Sequence, residues 1–353
     1  MNRRNLWCLM ALIACCGACG SCSSQSPPLQ LPVVPKNLLV GIGATFPAPL
    51  YKKWIDEYHA KYPDSAITYE ALGSGEGVQR MIEELVDFGA SDAAMTDDEI
   101  AKVRTGVQLI PTAAGSIVLA YNLPDVPSGL KLRRSTYVDI FFGKITKWDD
   151  ERIQSDNSDV KLPAMPIKLI VRGEHSGTTF AFTNHLSAIS EEWRDRGPGI
   201  GMVVDWPGAR EFAVGNEGVA KLVQQTPGAI GYSEYGNATR AGLQMASLEN
   251  KSGNFVAPGA GPGFATLSAT PMPSNLRSFF PDPAGEDSYP IVTYTWVMLY
   301  RKYDSAQKRD DLVRFVGWCL LDGQQFNEQL GYIRLPPEVV SKATKALDGI
   351  GVQ

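Results

Sequence analysis

Leu38-Leu39-Val40-Gly41-Ile42-Gly43-Ala44-Thr45-Phe46-Pro47-Ala48-Pro49-Leu50 is the stretch on which the fold class of this chain turns. Leu38 to Ile42 is an apolar run of strand length, small residues follow, and Pro47 suits the first turn of a helix, where a missing N–H costs nothing. The helix beyond it carries Leu50, Trp54, Ile55 and Tyr58 on one side. The same alternation recurs along the chain. A strand is expected at Ala66 to Ala71, then a helix that aligns Val78, Met81, Ile82 and Leu85. Ser116 to Tyr121 is a further apolar run, and Ile167 to Val171 leads into a helix starting near Ser176. Strands at Ala229 to Tyr232 and Ile291 to Tyr300 precede a helix from about Ser305 to Leu320. Strands alternating with helices predict an α/β architecture. Ser247 to Ser288, rich in Gly, Pro, Asn and Ser, reads as loops with little core, and Ala257 to Gly263 as a loop outright.

The bulk properties agree with a folded, exported protein. The chain has 353 residues and is 44% hydrophobic, enough for a large core and two domains. Charged residues make up 20% with no long single-sign run, which excludes wholesale disorder. The formal charge of -5 and the lack of a Lys/Arg cluster argue against a nucleic-acid partner. An anionic ligand would therefore be held by local donors and not by the net field.

Cys8, Cys15, Cys16, Cys19 and Cys22 crowd the N-terminus, leaving Cys319 alone in the body. Met1-Asn2-Arg3-Arg4-Asn5 followed by the apolar run Leu6 to Ala14 has the form of an export signal, too short to span a bilayer. Leu12-Ile13-Ala14-Cys15 resembles a bacterial lipobox, with Cys15 as the lipidated residue; simple cleavage further along is the alternative. Residues 1–14 are accordingly expected to be a signal peptide and 15–37 a lipidated flexible tether. Cys319 shares one helix face with Leu312, Phe315, Val316 and Leu320 and is expected as a small core hydrophobe.

Three segments share the layout of a strand, a small-residue turn and a helix start. They are Gly41 to Pro47, Gly73-Ser74-Gly75-Glu76-Gly77, and Arg172-Gly173-Glu174-His175-Ser176-Gly177-Thr178-Thr179. A helix N-terminus exposes unpaired N–H groups and the positive end of the helix dipole, so it binds anions. Ser and Thr hydroxyls add donors, and Arg172 can fork onto two oxygens of a tetrahedral anion. One such segment alone is ordinary capping; three with an Arg point to an anion site. Enzyme readings find less support. Ser74 lacks the spacing of a nucleophile elbow, and Gly143-Lys144 is followed by Ile145 where a nucleotide phosphate loop needs Ser or Thr. Of the three His, His59 and His185 are expected at the surface or its boundary, while His175 borders the third segment as a candidate neighbour of the ligand. No spacing of His, Cys and carboxylates suggests a metal site, and no cofactor is implied.

Gly43-Ala44-Thr45-Phe46-Pro47-Ala48-Pro49, Leu72-Gly73-Ser74-Gly75, Val86-Asp87-Phe88-Gly89-Ala90-Ser91-Asp92 and Ser176-Gly177-Thr178 together resemble the periplasmic phosphate-binding proteins of Pst-type ABC transporters. Gly143-Lys144-Ile145-Thr146-Lys147-Trp148, Pro227-Gly228-Ala229-Ile230-Gly231-Tyr232 and Tyr289-Pro290-Ile291 extend the likeness from about Gly41 to Leu347. The resemblance implies a type II periplasmic binding protein of the Venus-flytrap kind, two lobes joined by crossover segments. Lobe one would be 38–121 plus 292–353, and lobe two 122–291. It implies phosphate held by Thr45, Phe46 through its N–H, Ser74 and Asp92 from lobe one, and by Arg172, Ser176, Gly177 and Thr178 from lobe two. Glu174 would steady Arg172 from behind. Asp92 would choose phosphate over sulfate, since a carboxylate accepts the proton that phosphate retains near neutral pH and repels a bare sulfate oxygen. The implied role is high-affinity capture of inorganic phosphate for import, without catalysis. The implied partners are permease subunits, met by a monomer lipid-anchored on the periplasmic or cell-surface side of a bacterial membrane.

This chain departs from that family at several places. The family usually has Asp where Glu174 stands, Gly at His175, and Ser-Gly at Gly75-Glu76. The alternatives are a binder of another tetrahedral oxoanion or an organic phosphate, a surface lipoprotein that kept the fold without its ligand, and a phosphatase. The last lacks a metal cluster or an activated nucleophile in the sequence, and intact Thr45, Ser74, Asp92 and Arg172 argue against loss of the ligand.

Overall fold

The computed structural model describes residues 37–353; the expected signal peptide, the lipidated Cys15 and the tether lie outside the described residues. Strand β1 is Leu38–Gly43, followed by helix α1 at Ala48–Lys61, β2 at Ala66–Ala71, α2 at Ser74–Ile82, β3 at Phe88–Ser91 and the long β4 at Val107–Tyr121. The middle of the chain supplies β5 at Lys168–Arg172, α3 at Gly177–Ile189, β6 at Arg210–Ala213, α4 at Gly215–Gln225, β7 at Ala229–Glu234, α5 at Tyr235–Arg240 and α6 at Ala260–Ser268. The C-terminal part returns with β8 at Val292–Tyr300, α7 at Ala306–Leu320 and α8 at Pro337–Leu347. The strands run in the order β2-β1-β3-β8-β4-β7-β5-β6, with Gln244–Met245 pairing to β4 off that path. Two strand-and-helix halves are thus joined by long strands, the α/β architecture that the alternation of elements predicts.

β4 makes the join. Val107 to Ser116 pair antiparallel with β8, whereas Ile117 to Tyr121 pair with β7. One strand therefore belongs to both halves, and it is buried along nearly its whole length. The sequence reading caught only Ser116 to Tyr121, because Pro111 interrupts the first part. The register shifts opposite Pro111, between Thr295 and Trp296, so the residue without an N–H sits at a bulge where the ladder is already broken. Thr112, left over at that bulge, hydrogen-bonds the Tyr51 hydroxyl at 2.8 Å.

Each half has its own aromatic packing. Leu50, Trp54 and Tyr58 of α1 are buried at the helical spacing that defines the face, and Trp54 donates to Gly323 O at 2.7 Å. α7 buries Leu312, Phe315, Val316, Cys319 and Leu320, so Cys319 is a core residue, and burial pushes its thiol up. In the other half Phe141, Phe182, Trp206 and Tyr232 form a cluster with neighbouring ring centroids 4.8 to 6.2 Å apart. Edge-on and offset rings of this kind bury large areas and fix one another's orientation.

Two expectations are corrected. The stretch from Ser247 to Ser288 contributes to the core: Leu248, Val256, Leu267, Met272, Leu276 and Phe280 are all buried. Its anchors are separated by turns, so no periodicity betrays them. Leu276 O accepts from Trp296 Nε1 at 2.7 Å, and the Phe280 ring packs on Tyr294 at 5.4 Å. Helix α6 starts inside the run read as a loop, with Pro262 in the first turn, where its missing N–H has no intrahelical partner to lose. His185 is also not a surface residue. It is fully buried on α3, hydrogen-bonded to the Tyr137 hydroxyl at 2.8 Å and to Pro281 O at 2.7 Å. Burial lowers its pKa to about 4. No helix among the described residues is long and apolar enough to cross a membrane.

Candidate functional site

The ends of β1, β3 and β5 and the starts of α2 and α3 converge at the join. Thr45 and Phe46 occupy the β1–α1 turn, and Phe46 is locked by its buried ring and by its carbonyl, which accepts the Tyr332 hydroxyl at 2.6 Å. Ser74 opens α2, one residue past an N-cap glycine at φ 115°. Asp92 follows β3. Arg172 is the last residue of β5, Ser176 is the N-cap of α3, and Gly177 and Thr178 form its first turn. Ser176 Oγ accepts the Thr179 N–H at 3.1 Å, so this hydroxyl caps the helix. The N–H groups of Gly177 and Thr178 precede any intrahelical acceptor and face outward from the helix end.

Arg172 is the centre of the arrangement and is only 4% exposed. Its Nη2 reaches Thr45 Oγ1 at 3.0 Å and its Nη1 reaches Thr178 Oγ1 at 3.4 Å, while Nε bonds Glu174 Oε1 at 2.7 Å. Nη2 contacts the same Glu174 oxygen. The extra methylene of Glu174 thus leaves its pairing with Arg172 intact. Burial opposes ionisation of Glu174, but the Arg172 contact and the Gly215 N–H overcome it and hold the carboxyl below the usual range. The aromatic cluster reaches the site through Tyr232, whose hydroxyl accepts the Arg172 N–H at 3.1 Å and hydrogen-bonds Thr179 at 2.7 Å. The orientation of the guanidinium therefore depends on the packing of the core.

Asp92, across from Arg172, is 2% exposed. Its backbone N–H donates to Ser74 Oγ at 3.2 Å, and that hydroxyl lies 3.4 Å from Asp92 Oδ2. Asp92 Oδ1 and the Thr295 hydroxyl each make no well-formed hydrogen bond, although that hydroxyl lies close enough to Asp92 to favour its charged form. Burial pushes the Asp92 carboxyl up to about 7, with the Thr295 hydroxyl, the Arg172 charge and the Ser74 hydroxyl pulling the other way. Gly177 is a close approach between the halves: a Cβ there would lie 2.5 Å from Ser74 Oγ and 2.7 Å from Asp92 Cβ. The eight residues expected to bind a ligand are therefore brought together where the two halves meet, with Glu174 behind Arg172.

The sequence reading missed one participant. Asn216, fully buried at the start of α4, donates from Nδ2 to Thr45 Oγ1 at 3.1 Å and to Thr178 Oγ1 at 3.3 Å, and its N–H also points to Thr45 Oγ1. Gly215-Asn216-Glu217-Gly218 has the layout of the other three segments, which was the available signal. The strand before it, Arg210–Ala213, is mostly exposed and carries no apolar run, so the pattern was incomplete. Of the departures, Glu76 pairs with Arg80 at 2.6 Å, and His175 is exposed. Among the described residues no group of three or more His, Cys, Asp or Glu is placed to hold a metal ion. The chemistry on offer is a buried cation, hydroxyls and two helix N-termini facing a carboxylate with a free acceptor, which suits an oxoanion that still carries a proton.

A family model described as the PBP superfamily domain matches residues 31–320. A phosphate-binding protein PstS of Haemophilus influenzae is 37% identical over 314 residues, covering 88% of this chain and 92% of that protein. Another of the same name, from Methanocaldococcus jannaschii, is 36% identical over 87% of this chain and 85% of its own length. Among solved structures, a high-affinity periplasmic phosphate-binding protein bound with phosphate superposes with a TM-score of 0.72 at 19% identity, over 89% of this chain and 99% of that one. A phosphate-binding protein from Stenotrophomonas maltophilia superposes with a TM-score of 0.68 at 20% identity, over 87% and 93%. At such identities the structures speak for the fold: a two-lobed periplasmic binding protein.

Proposed function

The chain belongs to the PBP superfamily and, within it, to the phosphate-binding proteins of the PstS kind, and from that premise we propose that it captures inorganic phosphate in its cleft and hands it to the permease of a phosphate ABC transporter. The observation that carries the ligand is a buried Arg172 charge near a buried Asp92 whose Oδ1 makes no well-formed hydrogen bond. A desolvated carboxylate oxygen without a donor costs roughly 1–3 kcal/mol or more, and a protonated phosphate oxygen removes that cost where sulfate does not. Thr45, Phe46, Ser74 and Asp92 form one side of the proposed shell, and Arg172, Ser176, Gly177 and Thr178 the other, with Glu174 holding Arg172. The proposed lobes are 38–121 plus 292–353 and 122–291; the change of partner within β4, from β8 to β7, supports a crossover there.

The proposed receptor releases its ligand unchanged and acts as a monomer on the periplasmic or cell-surface side of a bacterial membrane, tethered by a lipid on Cys15. Leu12-Ile13-Ala14-Cys15 supports that anchor, and Cys15→Ser is expected to free the protein from membranes or block its processing. The ligand is tested by titrating the mature protein calorimetrically with phosphate, arsenate, sulfate and a phosphomonoester. Tight phosphate binding with sulfate at least tenfold weaker is expected. Equal uptake of sulfate, or preference for the ester, overturns the assignment.

A further inference from the structure

Gly75 and His175, two of the positions where this chain departs from the pattern it resembles, face each other across the cleft. Gly75 lies in the first turn of α2, which packs on β1 and β3; His175 lies in the turn between β5 and α3, in the other half. Gly75 N–H donates to His175 O at 3.1 Å. A helix N-terminal amide that has no intrahelical acceptor is thereby satisfied by the opposite half and not by an anion. A Cβ on Gly75 would lie 2.3 Å from His175 Cβ and 3.1 Å from its Cγ, inside any real contact distance. Gly75 is not among the residues with positive φ. The backbone therefore makes no demand for glycine, and helix propensity favours alanine there. What requires the missing side chain is the approach of His175.

We infer that Gly75 and His175 form a closing contact whose fit sets how far the two halves shut on the ligand, making them a positioning pair for binding. The contact joins residues of different halves, so it exists only when the cleft is closed. It sits beside the Gly177–Asp92 approach, where a Cβ would already come within 2.7 Å, so an added methyl at Gly75 cannot be absorbed by a small tilt without separating Arg172 from Asp92. The inference rests on the reading of this cleft as the phosphate site.

The test is a cycle of wild type, Gly75→Ala, His175→Gly and the double variant, titrated with inorganic phosphate and followed by stopped-flow dissociation. Gly75→Ala is expected to weaken phosphate at least tenfold, about 1.4 kcal/mol, mainly through faster dissociation, while thermal stability without phosphate stays level or rises. His175→Gly added to it is expected to restore affinity to within threefold of His175→Gly alone. A Gly75→Ala protein that binds like wild type, or a double variant as weak as Gly75→Ala, overturns the contact. If wild type takes up no phosphate, the ligand assignment falls instead. Small-angle X-ray scattering then decides the contact: Gly75→Ala must be less compact than both wild type and the double variant, and equal radii overturn it.

Discussion

Two buried carboxylates sit near the join of the halves, and they differ in one respect. Asp92 and Glu234 are 2% and 0% exposed, and burial pushes each carboxyl up to about 7. Glu234 uses both oxygens at the start of α5: Oε1 accepts the Gly236 N–H at 2.5 Å, and Oε2 accepts the Asn237 N–H and side-chain amide at 2.8 Å each. Arg240 adds a charge at 3.8 Å. Asp92 has a single long contact from Ser74 and an oxygen that makes no well-formed hydrogen bond, with only the Thr295 hydroxyl nearby. Equal burial with unequal satisfaction separates a carboxylate that holds a helix from one proposed to accept a ligand's proton. The satisfied carboxylate is finished in the folded protein; the unsatisfied one is where the proposed ligand would complete the hydrogen bonding.

The comparison is broken or sharpened by a graded series. Arg172→Ala removes the cation that faces Asp92 and strands Glu174, so phosphate affinity is expected to fall roughly a hundredfold or more, about 3 kcal/mol, by calorimetry. Asp92→Asn replaces an obligatory acceptor with an amide that also donates. Phosphate is expected to weaken about ten- to a hundredfold, sulfate to weaken less or gain, and stability without phosphate to hold or rise. An unchanged phosphate-to-sulfate ratio removes Asp92 as the selector.

Both carboxyls hold their protons more tightly folded than unfolded, so their contribution is most favourable below the unfolded pKa of about 4 and is lost as pH rises toward about 7. In protein stripped of anion, stability measured by denaturant is expected to fall over that window, by at most about 1.4 kcal/mol per pH unit for each carboxyl. The Asp92→Asn, Glu234→Gln double variant should flatten that slope; an equally steep one assigns it elsewhere. Glu234→Gln alone is expected to cost about 1–2 kcal/mol of stability, as a lost helix cap does, and to leave phosphate affinity within threefold. A loss of affinity equal to that of Asp92→Asn would erase the distinction. Glu174→Asp is expected to change affinity least, under about threefold or 0.7 kcal/mol, because the shorter acid keeps a salt link to Arg172. A larger change means that Glu174 does more than orient Arg172.

Most of the candidate site was legible because its parts are local. Ser176 caps α3 three residues from its donor, and the small-residue turns at Thr45, Ser74 and Arg172 are each written within a few positions. Asn216 was passed over because β6, before it, is too exposed to read as a strand. The core under Ser247 to Ser288 was passed over because its buried residues follow turns and not a period.

The sequence by itself determined the alternation of strands and helices, the apolar faces of α1 and α7, and the three anion-ready helix starts. These depend on residues within four or five positions of one another, where propensity and capping act. Tertiary structure alone decided that Thr45 would accept from Arg172 and Asn216, 127 and 171 residues away. It also decided that His185 would be buried, that Gly75 would make room for His175, and that one oxygen of Asp92 would be left without a donor. Burial and pairing between distant segments follow from how the two halves meet along β4, and no local pattern records that geometry.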